Sequence, residues 1–576
     1  MCGIWAYIGD STEIEHELYR CFRNIRHRGP DRSDFISFSS FVDFIIGFHR
    51  LAIMDNTVNG DQPFKYIDGD RVVYTICNGE IYNYKELIEK YNLETKTVCD
   101  CEVIPLLNKQ LGFTGMVKEL EGEFAIAVFE LNEKTKELDI FLARDHMGVR
   151  PMYISFNSEF LCISSELKGL YQPGWHTEVE DESGYGTVVE VEPRKIYKIR
   201  MIEKVPGSVE MLMDTEEYTD ILDTRPFHRI LREDGLESVY DIIYDAFEKS
   251  VESMIHSDRP LCAALSGGLD SSLVVAMAAD ILKRQGKTLK TFSLGMPGGT
   301  DEKYARMVAE YVGTDHTHIL VDPEDFKRTV KENTVYTTET MDITTNRAST
   351  GQYLLAKYIS ENTEYKVVLI GDGSDELTGG YMYFHNAPSP EEYQAEIKRL
   401  LSEIHLYDVR RADRCISMFG LEARAPFLHQ AFVRAYLSID PFFRMPSWNG
   451  QEKGLLRMAF KDTKLLPDQV LFRPKEAFSD GVSSKEDSWH DMVKKDIRAF
   501  LGVDDDELVR ACNKWKHCPP HDHESLHYRR EFDRIFGSQA AKIIPRFWMP
   551  RWSGNTKDPS ARVLGVYEKK VATSSE

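Results

Sequence analysis

Cys2 follows the initiator methionine directly, in the opening stretch MCGIWAYIGD. Once Met1 is removed, one carbon carries both a thiol and a free α-amino group. An α-amine titrates near about pH 8, so a useful fraction is a free base at neutral pH. A thiol with a base in reach is a candidate nucleophile. A second stretch, LCAALSGGLDSSLVVA, carries different chemistry. An apolar run ends at Leu265, then Ser266, Gly267 and Gly268 turn the chain, and Ser271 and Ser272 open the next segment. Glycines let a backbone approach an anion closely, and N–H groups and hydroxyls at a helix start cradle phosphate oxygens. Asp270 would repel a bare phosphate but suits a bridging Mg2+. No Gly-Lys-Ser/Thr follows, so this is not a Walker loop. A third stretch, GDGSDE, groups Asp372, Asp375 and Glu376. Three carboxylates tolerate one another only beside cations or a cationic substrate group.

These residues need elements to hold them. The runs LCAAL (261–265), KTFSL (290–294) and KVVLI (366–370) each precede a turn, and the first two lead into helical patterns. Such alternation predicts βαβ units and a parallel sheet. In such a sheet ligands lie beyond the carboxyl ends of the strands. Leu265, Leu294 and Ile370 end three of them. The first 200 residues read differently. RVVYTIC (71–77), EFAIAVFEL (123–131), LDIFLAR (138–144), MYISF (152–156) and FLCISS (160–165) are short runs between polar turns, and YKELIEKY (84–91) reads as a helix. This predicts antiparallel pairing, with several strands covered on both faces. Residues about 205–230 are charged and lack a clear period, as in a connector, and the chain beyond about 390 is mostly helical.

At 576 residues the chain should form about two to four domains. A net charge of −22 argues against general nucleic-acid binding. No run nears the ~20 apolar residues of a membrane span, and GDSTEIEHE is too polar for a signal peptide's core. The ten cysteines are expected as reduced thiols in a cytosol-like compartment. Cys99 and Cys101 are too close and too isolated to suggest a zinc site. CNKWKHCPPHDHE (Cys512, His517, Cys518, His521, His523) lacks paired knuckles and reads as a polar surface loop.

The SGGLDSS string resembles the pyrophosphate loop of the ATP-pyrophosphatases. On that footing the backbone at Leu265, Leu294 and Ile370 would bracket an adenine, with Gly371 allowing close approach. Together with MCGI, IRHRGPDRS, HRLAIMD, NGEIYN, CDCE, RDHMGVRPMY, DITTNRAST, GDGSDELTGGYMYFH, LYDVRRADR, GLEARAPFL and KEAFSDG, the chain resembles the glutamine-hydrolysing asparagine synthetase family from Cys2 to about residue 555. The resemblance implies two domains. Residues 1–205 would be a class II glutamine amidotransferase, an N-terminal-nucleophile αββα sandwich. After a connector (206–230), residues 231–555 would be an α/β doubly wound parallel-sheet synthetase domain with a helical C-terminal part, and 556–576 a tail.

By this resemblance Cys2 is the glutaminase nucleophile and its own α-amine the base. Asn78 and the Gly79 N–H form the oxyanion hole, and Arg50 holds the glutamine carboxylate. Glu80 and Asp100 take the α-ammonium, and the backbone of Arg50, Leu51, Ala52, Ile53 and Met54 lines the pocket. ATP falls to Leu265, Ser266, Gly267, Gly268, Asp270, Ser271, Ser272, Leu294, Ile370 and Gly371, with Mg2+ at Asp270 and Lys475 on the phosphates. Thr344, Thr345, Arg347 and Asp375 handle aspartate and the intermediate. Asp372 departs from the family's glutamate, which acts as base or holds the intermediate during amide formation. It is one methylene shorter, and a ~1 Å misplacement can cost on the order of 100-fold in rate. Activity is expected, with an altered balance between adenylation and ammonia capture. Ile370 stands where the family often has serine, without consequence if only its backbone meets adenine. ATP, Mg2+, a cytosolic homodimer and an apolar inter-domain ammonia passage complete the expectation, with no nucleic-acid or membrane partner. The alternatives are a related ligase acting on another acid, since one scaffold hosts many substrates, and a silent regulatory protein, hinted at by Asp372 alone.

Overall fold

The structure is a computed structural model that describes residues 1–172, 186–205, 208–226, 235–474, 482–483, 488–554 and 558–559. Lys475 and nearly all of the tail lie outside the described residues. Strands β1 (Gly3–Gly9), β2 (Arg32–Phe38), β3 (Phe44–Arg50), β4 (Phe64–Asp68), β5 (Arg71–Ile81), β6 (Gly122–Asn132), β7 (Glu137–Arg144), β8 (Tyr153–Phe156), β9 (Phe160–Ser164), β10 (Thr187–Glu190), β11 (Lys195–Val205) and β12 (Ser208–Glu217) build the N-terminal half. They form two antiparallel sheets, ordered β10-β8-β9-β1-β3-β2 and β12-β11-β7-β6-β5-β4.

Alternation of side chains across each strand explains the layering. Ile4, Ala6 and Ile8 of β1 meet Ala125, Ala127 and Phe129 of β6 between the sheets. Trp5 and Tyr7 face outward onto Leu18 and Phe22 of the helix Glu15–Arg23. Phe124, Ile126 and Val128 face the opposite way, with Val103, Ile104 and Leu107 of the helix Val103–Glu119. The result is an αββα sandwich. Both central strands are buried on both faces, which is why they read as continuous apolar runs. The expected connector contains an element: β12 pairs along β11 from Lys195↔Glu217. Its acidic residues hide an alternation in which Val209 and Met211 pack on the inter-sheet core.

The C-terminal half is built on β13 (Leu261–Ala264), β14 (Lys290–Gly295), β15 (Asp315–Leu320), β16 (Val367–Leu369) and β17 (Glu422–Arg424). All pair in parallel, in the order β15-β14-β13-β16-β17. Helices Leu269–Arg284 and Asp301–Val312 make the first two crossovers. The order reverses at β13, which creates a switch point between the β13 and β16 turns, where such sheets bind ligands. Helices including Pro390–Glu403, Asp408–Ser417 and His523–Ala540 complete this half. Among the described residues no helix is long and apolar enough to cross a membrane.

The histidine- and cysteine-rich stretch is a loop between two helices, with residues 513–522 outside helix and strand and Asn513, Lys514, Lys516 and Pro519 exposed. Cys512 ends the helix Asp505–Cys512, Cys518 is buried, and His523 opens the next helix. His517 Nε2 faces the carbonyls of Ala541 (3.1 Å) and Ile544 (2.8 Å), and His523 Nε2 that of Val503 (2.9 Å). His517, Cys518 and His523 are thus spent on backbone carbonyls.

Candidate active sites

Cys2 sits at the head of β1, buried, with its sulfur 3.8 Å from the Leu51 carbonyl. Its N–H donates to Asn78 Oδ1 (2.9 Å), and its carbonyl accepts from Arg28 Nε (3.0 Å). Asn78 lies on β5, fully buried, and its Nδ2 has no hydrogen-bond partner among the described residues. A buried donor left open beside a nucleophile is a place for developing negative charge. Gly79 is required by close approach, since a Cβ there would lie 2.1 Å from the Glu123 carbonyl oxygen.

Burial pushes the Cys2 thiol up to about 11, and the adjacent terminal ammonium offsets only part of this. Below that value the thiolate fraction grows about tenfold per pH unit. Protein that retains Met1 should therefore show iodoacetamide alkylation of Cys2 rising about tenfold per unit between about pH 7 and pH 9. Mass spectrometry of the N-terminal peptide reads this; a rate independent of pH would contradict it.

Glu80 and Asp100 converge nearby. Asp100 Oδ2 accepts from the Ile81 N–H (2.7 Å), and Arg424 Nη2 is 3.5 Å from Glu80 Oε2. Burial, with Asp100 and Glu422 close by, pushes Glu80 well above the usual carboxylate range. Burial raises Asp100 to about 6. Two acids held this way favour an arriving ammonium, which would restore their charged forms. Arg50 is already engaged: it donates to Thr57 O (2.6 Å), Asp61 Oδ1 (2.5 Å), Met54 O (3.2 Å) and the Asp55 carbonyl. Here its guanidinium braces the pocket loop rather than standing open. The Ala52 N–H donates to Asp31 Oδ2 (2.9 Å), and the Ile53 carbonyl accepts from the Asp258 N–H (3.2 Å), which fixes the wall.

The second site is a cavity of about 290 Å³ at the switch point. Leu265, Ser266, Gly268, Asp270, Ser271, Leu294, Ile370 and Gly371 line it, as do Thr344, Arg347, Asp372, Asp375 and Glu376. The remaining expected residues serve it from behind. Gly267 adopts φ +80, and a Cβ there would lie 2.5 Å from Ala305 N. Ser272 is buried. The Thr345 N–H and hydroxyl both donate to Asp342 Oδ2 (2.8 and 2.9 Å), capping the helix Ile343–Asn362. Thr345 is therefore a positioning residue, not a ligand-facing one. The same helix delivers Thr344, whose buried hydroxyl lacks a partner among the described residues, and Arg347. Arg347 is already forked onto Glu524 (2.7 and 2.5 Å) and reaches Asp558 (3.1 Å). Asp372 accepts from Gln352 Nε2 (3.0 and 3.2 Å) and Arg411 Nη2 (2.7 Å). The short acid is gripped from two sides.

Lys453 was not singled out by the sequence. Its Nζ lies 2.5 Å from Asp270 Oδ1 and 2.6 Å from Asp375 Oδ1, with its side chain 1% exposed. Also unforeseen is the seam between the sites. Glu422 Oε2 accepts from the Met1 ammonium (2.8 Å), and Arg424 pairs with Glu422 (2.8 Å). The Arg424 carbonyl accepts from the Ile370 N–H (3.0 Å). Arg150 bridges Glu123 (2.7 Å) and the Ala423 carbonyl (2.8 Å). Strand β17 thus touches both sites. The seam combines these buried ion pairs with apolar contacts, Leu51 and Ile53 packing on Val367 of the parallel sheet.

A family model described as asparagine synthase matches residues 243–402 and 388–552. Another, described as a glutamine amidotransferase domain, matches residues 1–223. The chain is 38% identical over 589 residues to a glutamine-hydrolyzing asparagine synthetase of Gallus gallus, covering 99% of this chain and 100% of that one. It is 37% identical over 591 residues to that of Homo sapiens, with the same coverage. Against that of Cricetulus griseus it is 38% identical over 588 residues, 99% of each.

Proposed function

The chain belongs to the glutamine-hydrolysing asparagine synthetase family, and from that premise we propose how its two sites divide the work. It is a ligase that makes L-asparagine from L-aspartate and ATP, with glutamine as nitrogen donor, through β-aspartyl-AMP. The observation that carries the assignment of roles is the pairing of a buried Cys2 with the open Nδ2 of Asn78.

Cys2 attacks the glutamine carboxamide, its α-amine taking the thiol proton once Met1 is gone. Asn78 Nδ2 and the Gly79 N–H hold the oxyanion. Collapse gives a thioester and ammonia, and water then frees glutamate. Glu80 and Asp100 hold the α-ammonium. Arg50 holds the carboxylate by exchanging part of its hold on the 54–61 loop. Removing one oxyanion donor typically costs about 10²–10³ in kcat. Asn78→Ala should lose that much glutaminase turnover while ammonia-dependent synthesis stays intact; a loss under tenfold would remove Asn78 from this role.

In the cavity the aspartate β-carboxylate attacks the α-phosphorus of ATP and pyrophosphate leaves. AMP then departs as ammonia attacks the acyl carbon, and Asp372 stands to take the proton the ammonia sheds. Asp270 and Asp375 converge on one cationic nitrogen, a donor set that fits Mg2+ as well as Lys453. Mg2+ held there would neutralise charge on the phosphates. Lys475 on the phosphates and the homodimer rest on the resemblance; the cytosolic location rests also on the reduced cysteines, and the enclosed apolar passage on the need to keep ammonia unprotonated. We end the glutaminase domain after β12 and begin the connector there, which the 1–223 family match supports.

Pyrophosphate release with aspartate, and with other acids in its place, tests the substrate. Release with aspartate at least about tenfold above any other acid is expected; equal release with another acid would shift the reading to a related ligase.

A further inference from the structure

Cys99 and Cys101 flank Asp100, and one ligand atom from each of the three lies within 4.8 Å of the others, all buried. Cys99 Sγ is 3.8 Å from Asp100 Oδ1, and Cys101 Sγ is 3.6 Å from Asp100 Oδ2. Cys77, on β5, contacts Cys101 but stands outside this group of three. In sequence, the Cys-x-Cys spacing offered two ligands and no more. The fold turns the carboxylate between them onto both thiols and buries all three. In a tetrahedral site with Zn–S near 2.3 Å and Zn–O near 2.0–2.2 Å, sulfur and oxygen ligands stand roughly 3.6 Å apart. Each thiol faces a different oxygen of Asp100, at or slightly beyond that spacing, so the carboxylate turns to share an ion with both sulfurs. The ligands are also pre-positioned: the Ile81 N–H fixes Asp100 Oδ2, and the Glu102 carboxylate accepts from the N–H groups of Lys96 and Thr97 just ahead of Cys99.

We propose that Cys99, Asp100 and Cys101 form a three-ligand site for Zn2+ that excludes glutamine. Soft thiolates select such an ion over Mg2+ or Ca2+. On binding, the two thiols release their protons to solvent and no electrons move. An ion on Asp100 removes an acceptor from the glutamine ammonium, so ion and substrate compete. The route is the one glutamine itself needs to reach Asp100. The competition, unlike the metal site, rests on the role assigned to Asp100 above.

The test uses full-length Cys2→Ala protein, which removes the nucleophile as a rival ligand. Co2+ is titrated under a non-chelating reductant, and thiolate-to-cobalt charge-transfer absorption is read. One equivalent should bind, be displaced by Zn2+, and weaken at least about tenfold in Cys99→Ser and Cys101→Ser. Ammonia-dependent synthesis checks that each variant is folded; if Cys101→Ser fails it, Cys99→Ser decides. No absorption, or absorption undiminished in Cys99→Ser, overturns the site. In protein with Cys2 intact and no ATP, Zn2+ should raise the KM for glutamine. Absorption with an unchanged KM upholds the metal site and overturns the assignment of Asp100 to the glutamine ammonium.

Discussion

Cys2→Ala should abolish glutamine-dependent asparagine synthesis, by about 10⁴-fold or more, as expected for removal of a covalent nucleophile. Ammonia-dependent synthesis should stay within about twofold, since Cys2 takes no part in adenylation. The substitution gives up the Sγ contact with the Leu51 carbonyl (3.8 Å) but keeps the backbone contacts that hold residue 2. The N–H reaches Asn78 and the carbonyl accepts from Arg28, and alanine keeps both. Arg28 in turn pairs with Glu166 (2.6 Å) and with Asp413 (2.8 Å) in the synthetase half, so the domain seam is preserved. Asparagine formed from glutamine or from ammonium chloride is the measurement. Retained glutamine use would remove Cys2 from the chemistry, and loss with both nitrogen sources would mean the two halves cannot be separated.

The second large effect is at Lys453. Lys453→Met keeps the apolar stem and deletes the charge between Asp270 and Asp375. Removing one partner of a buried ion pair costs about 3–5 kcal/mol. The two carboxylates keep 15% and 18% side-chain exposure, which favours the lower end. That cost falls on stability, whereas kcat/KM for ATP, read as pyrophosphate release, should fall about 10²-fold, as is typical for loss of one group that stabilises developing charge. High Mg2+ should restore part of this, because the cation can enter between the same carboxylates, while glutaminase turnover without ATP stays normal. An unchanged kcat/KM would make Lys453 a structural counter-ion and nothing more.

What was legible in the sequence was local. The SGGLDSS turn, the apolar strands before it and after it, and Cys2 at the head of an apolar run are patterns within a few residues. Their placement in the structure follows from backbone rules at glycine turns and strand ends. What was illegible depends on partners far along the chain. Lys453 sits in QEKGLLR, a stretch with no pattern, and acquires meaning only from Asp270 and Asp375. Strand β17 is three residues long and charged at both ends, yet it carries the ions that join the two sites. Strand β15, DHTHIL, is too polar to read as a strand; it lies at the sheet's edge, where His316 and His318 hydrogen-bond Ser293. Arg50, Thr345 and Arg347 illustrate a different limit. Their residue types were informative, but their present partners are protein groups, which spacing does not reveal.

Asp372 bears on the family departure. Gln352 and Arg411 fix the shorter carboxylate from two sides, so its reach is set by these partners as well as by its length.

The central claim is that one nitrogen and one activated acyl group meet in this chain. Aspartate labelled with 18O in its β-carboxylate and glutamine labelled with 15N in its amide, incubated together with ATP, test it in one mass-spectrometric measurement. The account predicts AMP carrying one 18O and asparagine carrying 15N, in equal amounts. Unlabelled AMP alongside labelled asparagine would contradict the acyl-adenylate, and labelled AMP with unlabelled asparagine would contradict the transfer of nitrogen from Cys2's site.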